Sequence, residues 1–172
     1  MPIRSSDLQI DKVEMRNAYI DKLIKLAEKD DRIFVLDADL MHSNNTYKFM
    51  ERFPDRTINV GIQEANMIGI AAGLSLVGKI PFAHTFTCFA ARRDLDQLYL
   101  SVAYAGLNVK LFATDPGIAA TYNGGSHMSF EDIGIMKTIP SMTIIEPVDS
   151  TMMESIVEQI TYTYGPFYVR LF

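Results

Sequence analysis

The sequence predicts an α/β fold in three layers (αβα), with a mostly parallel sheet and helices on both of its faces. Three observations lead to this prediction. Short apolar runs such as IFVLD (33–37) are typical of buried strands. These runs alternate along the chain with segments whose apolar residues recur at helical spacing, which is the pattern of parallel α/β sheets. The 172 residues show no repeat or linker and make one domain of ordinary size, predicted over residues 1–172.

The first predicted helix spans residues 12–29, where apolar residues recur every three or four positions. Asp11 and Glu14 form a capping-box pattern before it, and Ser129 with Asp132 forms another later in the chain. The other predicted elements are, in order, a strand at 33–37, a helix at 46–52, a strand at 57–60, a helix at 62–77, a strand at 80–86, a helix at 91–105, a strand at 108–114, a helix at 130–138, a strand at 141–147, a helix at 150–163 and a strand at 166–172.

Four predicted loops follow strands of this sheet, at 37–46, 60–64, 86–90 and 114–127. Open parallel sheets bind their ligands beyond the carboxyl ends of their strands. We therefore expect the functional residues to lie in these four loops.

Composition excludes several classes of function. The net charge is −5 and no Lys/Arg cluster is present, so we expect neither a nucleic-acid nor a membrane partner. The one cysteine, Cys88, cannot form an intramolecular disulfide, which fits a reducing compartment. The first residues, MPIRSSDLQIDK, lack the apolar core of a secretion signal, so we expect a cytoplasmic protein. Three histidines and one cysteine show no zinc spacing, and no metal site is predicted.

Glu64 stands out in the segment VGIQEANMIGIAAGLSLVG (60–78), because it opens a helix of small and apolar residues that we expect to be buried. One interpretation is favourable charge at a helix N-terminus, which spacing alone favours. The other is a half-buried carboxyl group that shares a proton with a ligand nitrogen. The glycines of this segment do not form a dinucleotide-binding fingerprint, so a Rossmann or flavodoxin-like nucleotide binder is disfavoured.

Four segments together resemble a known family. They are LDADL (36–40), VGIQEANMIGIAAG (60–73), TFTCFAARR (85–93) and NGGSHMSFEDIGIMKTIPSMTIIEPVD (123–149). Their order and spacing are similar to those of the pyrimidine-binding domain of transketolase-like thiamine diphosphate enzymes, in particular the carboxyl-terminal section of split transketolases. The resemblance covers essentially the whole chain and implies the thiamine diphosphate-binding fold.

The resemblance implies roles for cofactor-binding residues. Glu64 would be catalytic and would hydrogen-bond the ring nitrogen of the cofactor's aminopyrimidine. A proton shared there lets the exocyclic amine act as the base that activates the thiazolium carbon. Phe86 and Phe89 match aromatic residues that contact the pyrimidine ring. Leu40 matches a bulky residue that keeps the cofactor bent, and Asp39 matches a position beside the thiazolium.

Three further residues have family counterparts. Arg92 stands at a cofactor-binding position where many relatives have tyrosine. His127, after Gly-Gly-Ser, matches a catalytic histidine that contacts a substrate hydroxyl or moves a proton, although a loop histidine bonded to backbone is the commoner case. His42 is a candidate for the substrate channel, whereas His84 lies inside a predicted strand and is expected to be structural.

Arg16 and Ser43 match two positions that grip the substrate's phosphate in sugar-phosphate transketolases. Asn123 stands where relatives have an aspartate that contacts a substrate hydroxyl. Asp115 and Glu146 replace a histidine and an arginine of the phosphate site, and two acids there would repel a phosphate. The substrate is therefore expected to be a sugar, with the phosphate either held differently or missing. Ala65 also departs from the family, which has histidine after the glutamate.

The resemblance also implies partners. In this family Mg or Ca is held by a diphosphate-binding domain with a Gly-Asp-Gly motif, which this sequence lacks. We therefore expect a separate diphosphate-binding partner, and no carboxyl-terminal domain in this chain. Active sites of the family form between subunits, so a homodimer is expected. Residues suited to that interface are Met41, Met67, Tyr99, Tyr104, Tyr122 and Met128.

The leading hypothesis is thus a component of a transketolase, which moves a two-carbon ketol unit from a ketose to an aldose. Two alternatives keep the cofactor: deoxyxylulose-phosphate synthase and the beta subunit of a 2-oxo acid dehydrogenase. A third is a non-catalytic assembly module that has kept the fold.

Overall fold

The computed structural model describes residues 11–172, and the first ten residues of the predicted domain lie outside the described part. Its centre is a six-stranded sheet with the order β2-β1-β3-β4-β6-β5. All neighbouring strands pair in parallel, which confirms the predicted α/β class. The strands are β1 (Ile33–Asp37), β2 (Thr57–Asn59), β3 (Ile80–Phe86), β4 (Lys110–Thr114), β5 (Thr143–Ile145) and β6 (Phe167–Leu171).

Helices cover both faces of the sheet. They are α1 (Met15–Ala27), α2 (Tyr47–Arg52), α3 (Glu64–Leu76), α4 (Thr87–Arg93), α5 (Leu95–Gln97), which runs into a π-helical stretch (Leu98–Tyr104), α6 (Asp132–Met136) and α7 (Ser150–Tyr162). Short 3-10 turns lie at Pro54–Arg56 and Thr121–Asn123. Most predicted elements are present, with ends that differ from the prediction by at most three residues.

Side-chain alternation along the strands builds two cores. Val35 and Phe82 point to the face covered by α1 and α7, and both are fully buried. Leu36 and Ala83, one residue further along, point to the face covered by α3, α4 and the π-helical stretch. Because successive strand residues face opposite sides, both faces of this sheet must be apolar. This requirement explains why the strands appear in the sequence as continuous apolar runs.

The predicted loop at 86–90 is wrong. Helix α4 begins at Thr87, directly after the last residue of β3, rather than at residue 91. Thr87 donates its hydroxyl to the Thr114 carbonyl, which ties the first turn of α4 to the end of β4. The aromatic segment therefore lies on a strand end and a rigid helix instead of a loop.

Both predicted capping boxes are also wrong. Asp11 accepts hydrogen bonds from the backbone N–H of Val13, which precedes α1, and from that of Ser150 at the start of α7, so its carboxylate does not cap α1. Helix α1 begins after Glu14, which makes no side-chain cap. Asp132 accepts hydrogen bonds from the Tyr168 hydroxyl and from Arg170, so its carboxylate serves the core and not the helix end.

Helix α3 is buried on one face only, contrary to the prediction for residues 62–77. Met67 and Ile68 are fully buried, whereas Gly69 and Gly73 are exposed, and Leu76 is 73% exposed. Small residues all round a helix predict close packing on every face. Within residues 11–172, however, the face with Gly69, Gly73 and Leu76 is left exposed. Met67 therefore belongs to the core and not to the interface predicted for it, whereas Tyr104 and Tyr122 are largely exposed.

His84 is structural, as predicted, and it lies in the centre of the sheet. Its Nδ1 lies 2.9 Å from the Leu36 carbonyl oxygen, which can only accept, so Nδ1 carries the proton. The Tyr19 hydroxyl then donates to Nε2 across 2.5 Å. Burial lowers the pKa of His84 from 6.5 to about 4, so the ring stays neutral in the folded chain.

We predict that replacing His84 with Gln makes the chain less sensitive to acid. The unfolded chain binds a proton at His84 below pH 6.5, whereas the folded chain does so only near pH 4. Stability contributed by the neutral ring is therefore present above pH 6.5 and is lost as the pH falls towards 4, by roughly 3 kcal/mol. Chemical denaturation at several pH values measures this slope. The exposed His42→Gln variant is the control, and an equal slope in His84→Gln and the parent would contradict the assignment.

Candidate active site

Site residues predicted from the sequence fall into two groups at the carboxyl edge of the sheet. We call the first the glutamate pocket, which is the cavity at Glu64 with the adjoining rings of Phe86, Phe89 and His127, and to which Arg93 also belongs. We call the second the β1 pocket, whose residues follow strand β1.

Glu64 is the first residue of α3, and its side chain is almost completely buried. The chain reaches this position through Gly61, whose φ of +74° is readily adopted only by glycine, and whose N–H donates to Asn59 Oδ1. Glu64 lines a cavity of about 590 Å³ together with neighbouring residues of α3 and Arg93. The carboxyl group is therefore more deeply buried than the half-buried position expected from the sequence, and Glu64 lies at the edge of a cavity.

Two aromatic rings and a histidine lie together next to this cavity, and Arg93 joins them to Glu64 because its guanidinium lies over the Phe89 ring. Phe86 ends β3 and Phe89 lies in α4, with ring centroids 6.0 Å apart and planes inclined by 25°. The ring of His127 meets Phe89 edge-on at 5.2 Å and Phe86 at 6.1 Å. His127 Nδ1 also lies 2.9 Å from Ser126 Oγ. The structure thus brings together three predicted site residues from distant parts of the chain.

Arg93 is the residue of this pocket that sequence reasoning missed. Its Nη1 donates to Glu64 Oε1 across 2.7 Å, and its guanidinium carbon lies 3.9 Å from the centroid of the Phe89 ring. The signal in the sequence was the Arg92-Arg93 pair, but a helix predicted to start at residue 91 gave no basis for choosing between the two arginines.

Arg92 has different contacts. Its Nη2 donates to the Met128 carbonyl, its Nε donates to the Cys88 carbonyl, and Nε lies 3.1 Å from a carboxylate oxygen of Glu131. These contacts tie α4 to the segment before α6. Arg92 therefore supports the loop that carries His127, while Arg93 reaches Glu64.

The β1 pocket is a cavity of about 270 Å³. Its lining includes the predicted residues Asp39, Leu40, His42 and Ser43, and the His42 ring stacks on Tyr47 with centroids 5.2 Å apart. Asp39 has a φ of +65°, a left-handed conformation that is uncommon outside glycine and recurs at functional sites.

Asp37, a second residue that sequence reasoning missed, holds this loop in place. It is completely buried and accepts hydrogen bonds from the Leu40 N–H, Asn44 Nδ2 and the Thr46 hydroxyl. Burial raises the pKa of Asp37, and these three hydrogen bonds oppose that rise. Asn44 Oδ1 also accepts from the Thr114 hydroxyl, which joins the loop to the end of β4.

Arg16 links the β1 pocket to the loop after β4. Its Nη1 donates to the Ser43 carbonyl and its Nη2 to Asp115 Oδ1, both across 2.8 Å. Asp115, like Asp39, has a positive φ, here +55°. The positive charge of Arg16 is thus already paired, and both partners are largely buried.

Two other candidates lie apart from Arg16. Asn123 is exposed on the 3-10 turn, where its N–H donates to the Ala120 carbonyl. Glu146 is bound by Arg170, which also donates to Asp132. Within residues 11–172, no hydrogen bond or ion pair joins Glu146 to Arg16.

Asp94 follows Arg93 and is an unusual buried acid. Its side chain is fully buried, and neither carboxyl oxygen has a hydrogen-bond partner within residues 11–172. Burial, with a smaller contribution from the nearby negative charge of Glu64, raises the pKa of Asp94 well above its ordinary value.

We predict that Asp94→Asn is more stable than the parent at neutral pH. The raised pKa means that the contribution of Asp94 to stability is fully present below the ordinary value of 3.8 and is lost as the pH rises through the raised pKa. Each unit of the shift corresponds to about 1.4 kcal/mol, and a neutral amide does not lose it. Thermal unfolding between pH 4 and pH 8 tests this. If the parent and the variant follow parallel curves, Asp94 titrates normally and the prediction is wrong.

Within residues 11–172, no group of three or more His, Cys, Asp and Glu side chains is arranged to hold a metal ion. No helix in the same range is long and apolar enough to cross a bilayer.

Comparisons with known proteins agree over the whole described range. The model of the family described as "Transketolase, pyrimidine binding domain" matches residues 11–172. The 6-deoxy-6-sulfo-D-fructose transketolase subunit of Clostridium sp. (strain MSTE9) is 53% identical over 165 residues, which are 96% of this chain and 51% of the relative. Human transketolase is 34% identical over 161 residues, 93% of this chain and 26% of the relative.

Among solved structures, a split-gene transketolase described as an inactive beta4 tetramer superposes with a TM-score of 0.82 and 43% identity, over 92% of this chain and 51% of that one. The chain thus spans about half the length of the first of these relatives and of this structure.

Proposed function

Because this chain belongs to the transketolase pyrimidine-binding domain family, we propose that it is one component of a thiamine diphosphate-dependent transketolase. The enzyme would transfer a two-carbon ketol unit from a ketose to an aldose. The observation that carries this proposal is the glutamate pocket, where a buried carboxyl group at a helix start lines a cavity and is joined through Arg93 to a pair of aromatic rings.

The residues of the glutamate pocket fit the aminopyrimidine end of this cofactor. Glu64 is a buried carboxyl group, which suits a proton shared with a ring nitrogen. Phe86 and Phe89 offer flat apolar surface to a flat heteroaromatic ring. Leu40 and Asp39, in the β1 pocket, would contact the part of the cofactor that lies beyond the pyrimidine.

The chain's own residues would orient the cofactor and hold one proton. When bound, thiamine diphosphate supplies the carbon nucleophile and the electron sink for cleavage of a carbon–carbon bond. Glu64 would hold the proton at the ring nitrogen and fix the orientation of the pyrimidine. His127, beside both phenylalanines, would bind a substrate hydroxyl or exchange a proton with it. Arg92 would act through the loop that it holds.

We propose that a separate subunit completes the site. The chain spans about half of its relatives, and the family resemblance assigns the diphosphate and its Mg or Ca ion to another domain. A homodimer of such pairs would cover the exposed face of α3, where Leu76 and Ile62 are more than two-thirds exposed. The composition supports a cytoplasmic enzyme.

We predict that Glu64→Gln abolishes turnover of the enzyme reconstituted with its diphosphate-binding subunit. Glutamine fills the same space but cannot hold the proton, and loss of a general acid–base group costs about 10²- to 10⁴-fold in rate. Ketol transfer and subunit assembly are measured on the same preparation. The exposed Glu154→Gln variant on α7 is the matched control.

Turnover and assembly of the Glu64→Gln variant together distinguish a catalytic subunit from an assembly module. Lost turnover with intact assembly supports the catalytic assignment, whereas unchanged turnover favours a non-catalytic assembly module. Substrate profiling separates the remaining alternatives, because turnover of pyruvate or another 2-oxo acid without ketose activity would indicate a deoxyxylulose-phosphate synthase or a dehydrogenase subunit.

We also propose that the substrate carries a monoanionic group or none, rather than a phosphate dianion. The Arg16–Asp115 ion pair supports this, since its net charge is zero where the family's phosphate site is positive. A relative at 53% identity is named for a sulfonated ketose, and a sulfonate carries one negative charge. A phosphate monoester carries nearly two at pH 7, so it is repelled more by Asp115.

We predict that Asp115→Asn shifts the preference of the enzyme towards phosphorylated ketoses. Removal of one negative charge should raise kcat/KM for fructose 6-phosphate relative to 6-deoxy-6-sulfofructose by about tenfold, or about 1.4 kcal/mol. Asparagine tolerates the left-handed backbone at this position, so the loop should be kept. A ratio that does not move would show that Asp115 does not select the anion.

A further inference from the structure

The side chain of Arg93 contacts both Glu64 and Phe89, two residues that the proposed function assigns to binding of the pyrimidine ring. Arg93 donates an N–H to Glu64 Oε1 across 2.7 Å, and its guanidinium lies over the Phe89 ring at 3.9 Å. A guanidinium is planar, cationic and rich in N–H donors. A protonated aminopyrimidine has the same three properties and needs the same two partners.

We propose that Arg93 is a placeholder for the cofactor: it pairs with Glu64 and covers Phe89 until an aminopyrimidine displaces it from both. This inference rests on the proposed function and adds a residue that the family resemblance did not identify. Cofactor binding then becomes an exchange of one planar N–H donor for another, and Glu64 keeps a partner throughout.

The need for a placeholder follows from burial. The side chain of Glu64 is 2% exposed, and an ionised carboxylate in such a place is costly without a partner. Asp94, beside it, adds another acid and no compensation, since neither of its oxygens has a hydrogen-bond partner within residues 11–172. Arg93 is the one cation that bonds to Glu64 within residues 11–172.

The geometry also allows Arg93 to leave. Its side chain is 45% exposed, and it is the last residue of α4. A long side chain at a helix end can swing its charged group into water while its methylene groups stay on the protein surface. Arg93 thus contacts both Glu64 and Phe89 while part of its side chain remains exposed to solvent.

Calorimetric titration of thiamine diphosphate, with saturating magnesium, into the reconstituted two-subunit complex tests the inference. Arg93→Met removes the competitor, so its Kd should fall about tenfold, which corresponds to about 1.4 kcal/mol. The thermal unfolding temperature of the same complex without cofactor should fall, because Glu64 loses its partner. Arg93→Lys keeps the charge but not the flat stacking, and should lie between the parent and Arg93→Met; it also serves if the Met variant does not fold.

Arg52→Met is the matched control, since Arg52 also pairs with a glutamate but is exposed and far from the pocket. It should leave the Kd unchanged. An equal or weaker affinity in the Arg93 variants overturns the inference, because it means that Arg93 stays with Glu64 when the cofactor is bound. That result leaves the proposed function intact if Glu64→Gln still abolishes turnover. Absence of cofactor binding by the parent complex would overturn the proposed function itself.

Discussion

The cost of burying carboxyl groups shapes this structure. Four of them are almost fully buried within residues 11–172: Asp37, Glu64, Asp94 and Asp132. Asp37 is satisfied by neutral donors of its own loop, and Asp132 by a tyrosine and an arginine of β6. Glu64 depends on one half-exposed arginine, and Asp94 has no partner in this range. Asp37 fixes the loop of the β1 pocket and Asp132 joins α6 to β6, whereas the two least satisfied acids lie at or beside the glutamate pocket.

Backbone strain is found in the loops that follow β1 and β4. Asp39 and Asp115 adopt left-handed backbone conformations directly after β1 and β4. Such conformations persist only where the surroundings fix them. Here the buried hydrogen bonds from Asn44 to Asp37 and from Thr114 to Asn44 join the loop after β1 to the end of β4. The Arg16–Asp115 ion pair holds the loop after β4. The β1 pocket therefore has its shape before any ligand binds. In the glutamate pocket, by contrast, we propose that the side chain of Arg93 moves away when the cofactor binds.

The predictable part of the site depended on local patterns. The short run VGIQEANMIG indicated the helix and its first-turn glutamate, whereas the site roles of Glu64, Phe86 and Phe89 were implied by the family resemblance. The role of Arg93 could not be predicted, because its partner Glu64 lies 29 positions away in the sequence. The role of Asp37 could not be predicted, because it depends on how the loop after β1 turns back to donate hydrogen bonds to it. The capping boxes failed for the same reason: Asp11 and Asp132 fit a local motif, but partners distant in sequence bind them instead. The start of α4 was misplaced because a strand can pass into a helix without any loop residues.

The sequence by itself determined the alternation of strands and helices and the parallel sheet, which follow from hydrophobic periodicity. The family was determined as well, since it follows from the order and spacing of four segments along the chain. It also determined which carboxyl group and which aromatic rings are candidates for the active site. Only the tertiary structure decided which charges are paired. Ion pairs such as Arg93–Glu64 and Arg16–Asp115 join residues on different elements, and no periodicity within one element can specify them. Because pairing sets both the charge and the openness of each pocket, the cofactor exchange and the substrate preference proposed for this chain became visible only in three dimensions.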